Sequence, residues 1–274
     1  MMFTMRFPGG LDKTFTMSYD DGVIQDVRLL SVMKKNGLRG TFNINTGLFS
    51  KEDVKDDGRM SYRQVLELYQ DPDCEVAVHA YTHPHLELMS MPEITRQIYQ
   101  DKEKLEEMFG CVVRGMAYPF GSYNETVIEC MKAVGIGYSR TTVSTEGFRL
   151  PDDWMRLPAT CHHNNPRLTE LGEKFLNSKA RVWDAPMMFY LWGHSYEFDR
   201  NENWEKIERF AELIGGHEDV WYATNIEICD YVKAFRSMRI SSDGKVIENP
   251  TSLTLWYAEN DGVHSIAPGE RIRF

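Results

Sequence analysis

The chain has 274 residues, 42% of them hydrophobic, and a formal net charge of −10, enough apolar material for one large domain with at most a small addition. The acidic balance, and the lack of a dense Lys/Arg stripe with interleaved aromatics, exclude a general binder of phosphate backbones, so no nucleic acid partner is expected. No run of about 18 apolar residues is present to span a membrane, and scattered cysteines without a C-x-x-C pair exclude a disulfide framework and a zinc ribbon.

The first residues, "MMFTMRFPGGLDKTFT", break at Pro8-Gly9-Gly10 and lack the continuous apolar core of a secretory leader, which predicts a cytoplasmic protein. Strand-like runs then follow at 14–18, 40–45, 75–79, 115–119, 135–139, 187–192 and 220–224, separated by helical patterns that often end at a glycine. This alternation is the βαβ signature, and seven such runs predict an α/β barrel. The clearest helix is expected over residues 91–109: Ser90 and Glu93 make a capping-box pattern, Ile94, Ile98, Leu105 and Phe109 approximate one apolar face, and Gly110 stops it. Residues 140–186 are less regular, interrupted by Pro151, Pro158 and Pro166, with one further strand expected near "MRLPAT". Past about Ser237 the helical period disappears and turn signals at Asp243-Gly244 and Asp261-Gly262 separate alternating segments. The chain is therefore expected to divide into a barrel over 1–236 and a β appendage over 237–274.

In a parallel α/β barrel the reactive groups collect at the C-terminal ends of strands. Asp20 and Asp21 end the first expected strand, His79 the third, with His83 just beyond it. Tyr118-Pro119-Phe120-Gly121 follows the fourth, and His194 follows the strand at 187. Asp-Asp-Gly alone reads first as a turn, and a lone His194 reads equally as a satisfied strand-end histidine. His79, His83 and His85 are three of eight histidines packed into seven residues, a density that favours metal binding. His79 and His83 would share a helix face, but Pro84 and the preceding "EVAV" favour a strand end and loop. Cys161-His162-His163 is a second, minor cluster, and no G-x-S-x-G elbow is present.

Taken together, Asp-Asp-Gly, His-x-x-x-His, Pro-Phe-Gly and a late strand-end His, in that order, resemble the polysaccharide deacetylases of the NodB-homology, carbohydrate esterase family 4-like type. The resemblance covers about residues 13–230 and implies a distorted, incomplete TIM-like barrel. It implies a hydrolase that removes acetyl groups from N-acetylated, or O-acetylated, sugars or oligosaccharides with one divalent ion. By motif, Asp20 is the base, His194 the general acid, and Asp21, His79 and His83 the metal ligands. The backbone N–H of Phe120 would stabilise the oxyanion, and Tyr118 and Trp192 would lie against substrate. Two imidazoles and a carboxylate suit Zn²⁺, and the same set serves Fe²⁺, Co²⁺ or Ni²⁺.

The sequence departs from the family pattern at three places. Ala117 stands where the family places an arginine that pairs with the base, so another residue must do this; Arg140 is the first candidate and Arg156 the second. Trp192 replaces a leucine two places before the late histidine, which alters the expected pocket for the acetyl methyl. Asp152-Asp153-Trp154 only imitates the family's Asp-rich fourth motif. Two other functions use the same residues: a metal-dependent hydrolase of another bond, such as a cyclic amide or a phosphoester, and a non-catalytic carbohydrate-binding relative. The sequence assigns no oligomeric state.

Overall fold

The computed structural model describes residues 3–51, 58–260 and 262–274. After β1 (Thr4–Arg6), the barrel begins at β2 (Lys13–Asp20), whose eight residues are all buried, as expected of a strand covered on both faces. It continues through α1 (Asp26–Lys35), β3 (Gly40–Ile44), α2 (Tyr62–Tyr69), β4 (Cys74–Val78), α3 (Met91–Phe109), β5 (Gly115–Ala117), α4 (Glu125–Ala133) and β6 (Tyr138–Ser144). Next come β7 (Leu157–Ala159), β8 (Cys161–His162), α5 (Leu168–Asn177), β9 (Met187–Gly193), α6 (Tyr196–Arg200), α7 (Trp204–Ile214), β10 (Val220–Tyr222) and α8 (Asn225–Arg236).

The barrel strands pair in parallel in the order β7-β6-β5-β4-β3-β2-β9-β8, with β10 beside the start of β2. β7 and β8 are two halves of one stretch of chain. Leu157 and Ala159 pair with β6, Cys161 and His162 pair with β9, and Thr160 N–H donates to Tyr190 O at 2.9 Å. The sheet therefore closes on itself through residues 157–162, with short, irregular pairing at the seam, which is the distorted α/β barrel expected.

Local signals explain most of the elements. Ser90 and Glu93 form the expected capping box on α3, and Gly110 ends it in the left-handed region at φ 63. Its buried stripe is Ile94, Gln97, Ile98, Asp101, Leu105 and Met108; Phe109, expected on that face, lies half-buried at the helix end. The strand expected at 135–139 begins only at Tyr138, because Gly135 (φ 83) ends α4 and Ile136 N–H still bonds back to Met131 O. The run at 220–224 stops at Tyr222, since Thr224 caps α8 with Glu227. Arg156 belongs to the surface, where it pairs with Glu125 and Asp153.

Beyond Arg236 lie β11 (Arg239–Ile240), β12 (Val246–Glu248), β13 (Leu255–Glu259), β14 (Gly262–Ile266) and β15 (Arg271–Arg273). They make two small antiparallel sheets, β11-β12-β15 and β1-β13-β14. The second recruits the N-terminal β1, a pairing invisible in local sequence. Ile247, Leu255, Tyr257 and Ile266 share an apolar cluster with Phe7, Ile228, Tyr231 and Val232, so the C-terminal strands are packed onto α8 and not tethered loosely. Among the described residues no helix is long and apolar enough to cross a membrane.

Candidate active site

Asp20 is the last residue of β2, and the chain turns immediately after it, with Asp21 at φ 85 and Gly22 at φ 62. The turn separates the two carboxylates. Asp20 points among buried groups at 2% exposure, where Asn43 Nδ2 donates to its Oδ1 at 2.8 Å and Arg140 Nη2 donates to Oδ2. Arg140 reaches from β6, on the far side of the barrel order from β2, and its guanidinium lies over the Trp192 ring at 4.3 Å. Position 117 is an alanine, and the arginine that faces Asp20 is Arg140.

His79 follows β4, and its main-chain N–H donates to Asp101 Oδ2 at 3.0 Å. Asp101 also accepts Thr46 N–H and Oγ1–H on its other oxygen, at 2.7 and 2.6 Å. A carboxyl on the apolar face of α3 therefore ties the ends of β3 and β4 together. The side chain of His79 donates through Nδ1 to Ala117 O at 2.8 Å, which leaves Nε2 with its lone pair turned toward Asp20 and Asp21. A main-chain carbonyl does this work, so it survives whatever side chain stands at 117. His83 sits at φ 54, its ring edge-on to His79 with centroids 4.7 Å apart, and Nε2 is 4.0 Å from Asp21 Oδ1. Of seven described non-glycine residues with positive φ, four are Asp21, Ala80, His83 and Phe120, so the strained backbone gathers at this site.

One potential ligand atom from each of Asp21, His79 and His83 lies within 4.8 Å of the others. A cation held at about 2.1 Å by tetrahedral ligands sets them roughly 3.4 Å apart, against 4.0 Å between His83 Nε2 and Asp21 Oδ1, so a small inward movement closes the set. Burial, then the neighbouring His79, pushes His83 down to about 4, and burial likewise lowers His79. Two neutral imidazoles and a carboxylate are the donor chemistry a divalent ion requires, and the residues fit it. Arg59, 3.3 Å from Asp21 Oδ1, also donates to the Asp21 carbonyl and braces the turn.

His194 follows β9, with Nε2 3.8 Å from Asp20 Oδ2. Burial alone would lower it, but Glu197, Asp20 and Asp21 outweigh burial and raise it. Asp20 moves the opposite way: burial would raise it, while Arg140, His79 and His194 together bring it to about 2. An ionised carboxylate and a histidine biased toward its protonated form thus face one another, the separation of acid and base character used in proton transfer.

Phe120 is 56% exposed in the turn after β5, edge-on to His83 at 4.4 Å and stacked on His85 at 3.9 Å. A Cβ on the next residue, Gly121, would fall 2.4 Å from Thr142, so this turn needs glycine. Trp192 lines the interior between Arg140 and His162. Tyr118, expected against substrate, is corrected: its ring is buried on Tyr123 and its hydroxyl donates to Met155 O at 2.7 Å, so its side chain is committed to the core. Sequence reasoning did not single out Asn43, Arg59, Asp101 or Glu197. Only Asp101 left a signal, as an acid on the apolar stripe of α3. A cavity of about 420 Å³, lined by Arg39, Cys74, Glu75, Arg114 and Glu227, is bordered by none of the site groups.

The fold and donor set define a candidate His-His-Asp metal centre at the strand ends of an α/β barrel. Residues 9–139, just under half of the chain, match the model of the polysaccharide deacetylase family, in keeping with the NodB-homology resemblance of the sequence motifs. The match includes Asp20, Asp21, His79, His83 and Phe120 and ends before Arg140 and His194. Among solved structures, the chain is similar to a Mycobacterium smegmatis protein designated a polysaccharide deacetylase (15% identity, 86% of this chain, 95% of that one, TM-score 0.59). It is also similar to a family 4 carbohydrate esterase from Streptomyces lividans in complex with acetate (16%, 77% and 92%, 0.50). Similarity to the Streptococcus pyogenes deacetylase PplD is 23% over 52% of this chain and 61% of that one, with TM-score 0.46, so the chain spans about three fifths of that protein. No curated protein sequence matches significantly.

Proposed function

We propose that the protein is a metal-dependent hydrolase that removes acetyl groups from N-acetylated carbohydrates, with O-acetylated sugars as secondary substrates. The observation that carries this reading is the convergence of Asp21, His79 and His83 beside the Asp20–Arg140 pair and His194. Asp21, His79 and His83 would hold one divalent ion, Zn²⁺ or one of Fe²⁺, Co²⁺ and Ni²⁺. Such an ion supplies Lewis acidity, easing deprotonation of water and polarising a carbonyl. Asp20, kept ionised, accepts the proton from water; Arg140 and Asn43 each hold one of its oxygens and so fix its orientation. His194 delivers a proton to the departing amine nitrogen, for which its raised affinity for protons suits it. The exposed ring of Phe120, braced by His85, offers an apolar face to a pyranose ring, and its main-chain N–H is assigned to the developing oxyanion. Trp192, nearer the interior, bounds the space for the acetyl methyl.

The reading as a non-catalytic sugar binder rested on the absent arginine at 117, and the Arg140–Asp20 pair counts against it. The decisive experiment is to supply metal-replete protein with N-acetylated saccharides, O-acetylated saccharides, cyclic amides and phosphate esters. Acetate and a new free amine should appear in equal amounts from the N-acetylated sugars. Turnover confined to cyclic amides or phosphate esters would overturn the assignment.

A further inference from the structure

We infer that Glu197 is a positioning residue for His194, fixing the proton on Nδ1 and turning Nε2 toward Asp20, and that His162 and His163 serve to hold Glu197 and not a metal ion. For its catalytic consequence the inference rests on the deacetylase reading; for its geometry it does not. α6 begins two residues after His194, and the turn is pinned twice. Glu197 N–H donates to His194 O at 3.1 Å, and Ser195 Oγ donates to the buried Asp26 at 2.6 Å. This brings Glu197 Oε1 to 3.5 Å from His194 Nδ1, a buried nitrogen with no hydrogen-bond partner among the described residues. The distance is longer than a formed bond and of the kind that tightens when a substrate is seated.

The other oxygen of Glu197 collects donors. Asn164 Nδ2 donates to Oε2 at 2.9 Å, His163 Nε2 lies 2.8 Å away on an off-line approach, and His162 Nε2 lies 3.3 Å away. Hydrogen bonds at the far side of each ring place the protons. Asn164 N–H donates to His162 Nδ1 at 3.1 Å, so the neutral ring carries its proton on Nε2, facing Glu197. The Tyr19 hydroxyl, which burial keeps protonated, lies 3.3 Å from His163 Nδ1 and can donate to it, the arrangement that leaves the ring's proton on Nε2. Although His162, His163 and Glu197 have the composition and proximity of a metal site, a cation at Nε2 of His162 would force a proton onto Nδ1 against an N–H donor. The close packing also depends on the residue before His194, because a Cβ on Gly193 would fall 2.0 Å from His163 Nδ1.

The charged and titratable groups around His194 are Asp20 and Asp21 at the end of β2, Tyr196, Glu197 and Arg200 on α6, His162 on β8 and His163 after it, and Arg140 of β6 behind Trp192. Of these, Glu197 is the one carboxylate beside Nδ1. Site-resolved ¹H–¹⁵N spectra of histidine rings in the full chain test the inference directly. In the wild type, neutral His194 should be the Nδ1–H tautomer and His162 the Nε2–H tautomer. In E197Q the titration of His194 should move down by about one pH unit or more. One equivalent of Zn²⁺ should perturb His79 and His83 and leave His162 and His163 unchanged. If E197Q does not fold, the wild-type tautomers and the Zn²⁺ titration decide. An Nε2–H tautomer at His194, an unmoved titration in E197Q, or Zn²⁺ shifts at His162 would each overturn the inference. With the tautomers as stated and no acetate released from any substrate, the deacetylase reading fails alone; with both correct, the alkaline limb of kcat moves down in E197Q with the His194 titration.

Discussion

Arg140→Met removes the guanidinium that faces Asp20 while roughly keeping the volume beneath Trp192. Both partners are almost fully inaccessible, with side-chain exposures of 1% and 3%, so the substitution strands a carboxylate that water cannot reach. Breaking a buried pair from one side costs about 3–5 kcal/mol, which in a chain of this size corresponds to a fall in Tm of roughly 5–9 °C. The sign with pH follows from Asp20. Its proton affinity in the wild type is depressed to about 2, so the pair stabilises the fold above the ordinary carboxylate range and that contribution is lost as pH falls toward 2. Without Arg140 the remaining influence of burial raises Asp20, and the variant relieves its penalty by protonating. The gap between wild type and variant should thus be widest near pH 7 and narrow near pH 4. Loss of Arg140 also removes its depressing effect on His79 and His162, which eases their protonation in the variant and narrows the gap in the same direction. Urea denaturation of chelated wild type, Arg140→Met, Asp20→Asn and the double variant at both pH values measures this. Asp20→Asn should recover much of the loss, because it removes the stranded charge. A cost below about 1 kcal/mol at pH 7, the level of an exposed pair, or no recovery in the double variant, would refute the argument.

Other expectations follow from the same geometry. Asp20→Asn should retain the metal but lose about 10²- to 10⁴-fold in turnover, whereas Asp21→Asn should weaken metal binding and regain part of its activity with excess metal; metal titration of the two variants tests the assignment, and the inverse pattern would exchange their roles. Asp101→Asn turns an amide donor toward either the His79 N–H or the Thr46 donors, so thermal denaturation should show a loss of about 1–3 kcal/mol, with metal affinity falling as the His79 main chain shifts. Truncation after Met238 uncovers Tyr231, whose hydroxyl accepts from Trp256 N–H and donates to Arg6 O, together with the apolar surface covered by Leu255 and Tyr257. It should lower Tm while leaving kcat near wild type in whatever fraction stays folded; a stable truncated protein without turnover would assign the strands beyond Arg236 to the site.

Sequence legibility followed the range of the interactions involved. The capping box at Ser90 and Glu93, the strand-end positions of Asp20, His79 and His194, and the crowding of histidines at 79–85 are local patterns, readable because short-range propensity and pleat direction dictate them. Arg140 could be named as a partner for Asp20 because the lack of an arginine at 117 left a charge to balance and β6 offered one at a strand end. Tyr118 misled, since a polar aromatic at a strand end points either into the site or into the core, and the contact with Met155 that decides this is 37 residues away. Glu197 escaped notice for a similar reason: its value to His194 depends on one turn of α6 and on two rings from β8 and the residue after it. The pairing of β1 with β13 joins opposite ends of the chain and leaves no trace in either segment alone.

The central claim is that one divalent ion at Asp21, His79 and His83 enables hydrolysis of an acetyl group. Returning metal in steps to chelated protein, while measuring both bound metal and acetate released from an N-acetylated oligosaccharide, tests it most directly. Activity should rise in proportion to bound metal and saturate at about one equivalent per chain, with no rise in His79→Ala. Acetate release that is already complete in chelated protein, or that requires a second equivalent, would contradict the account.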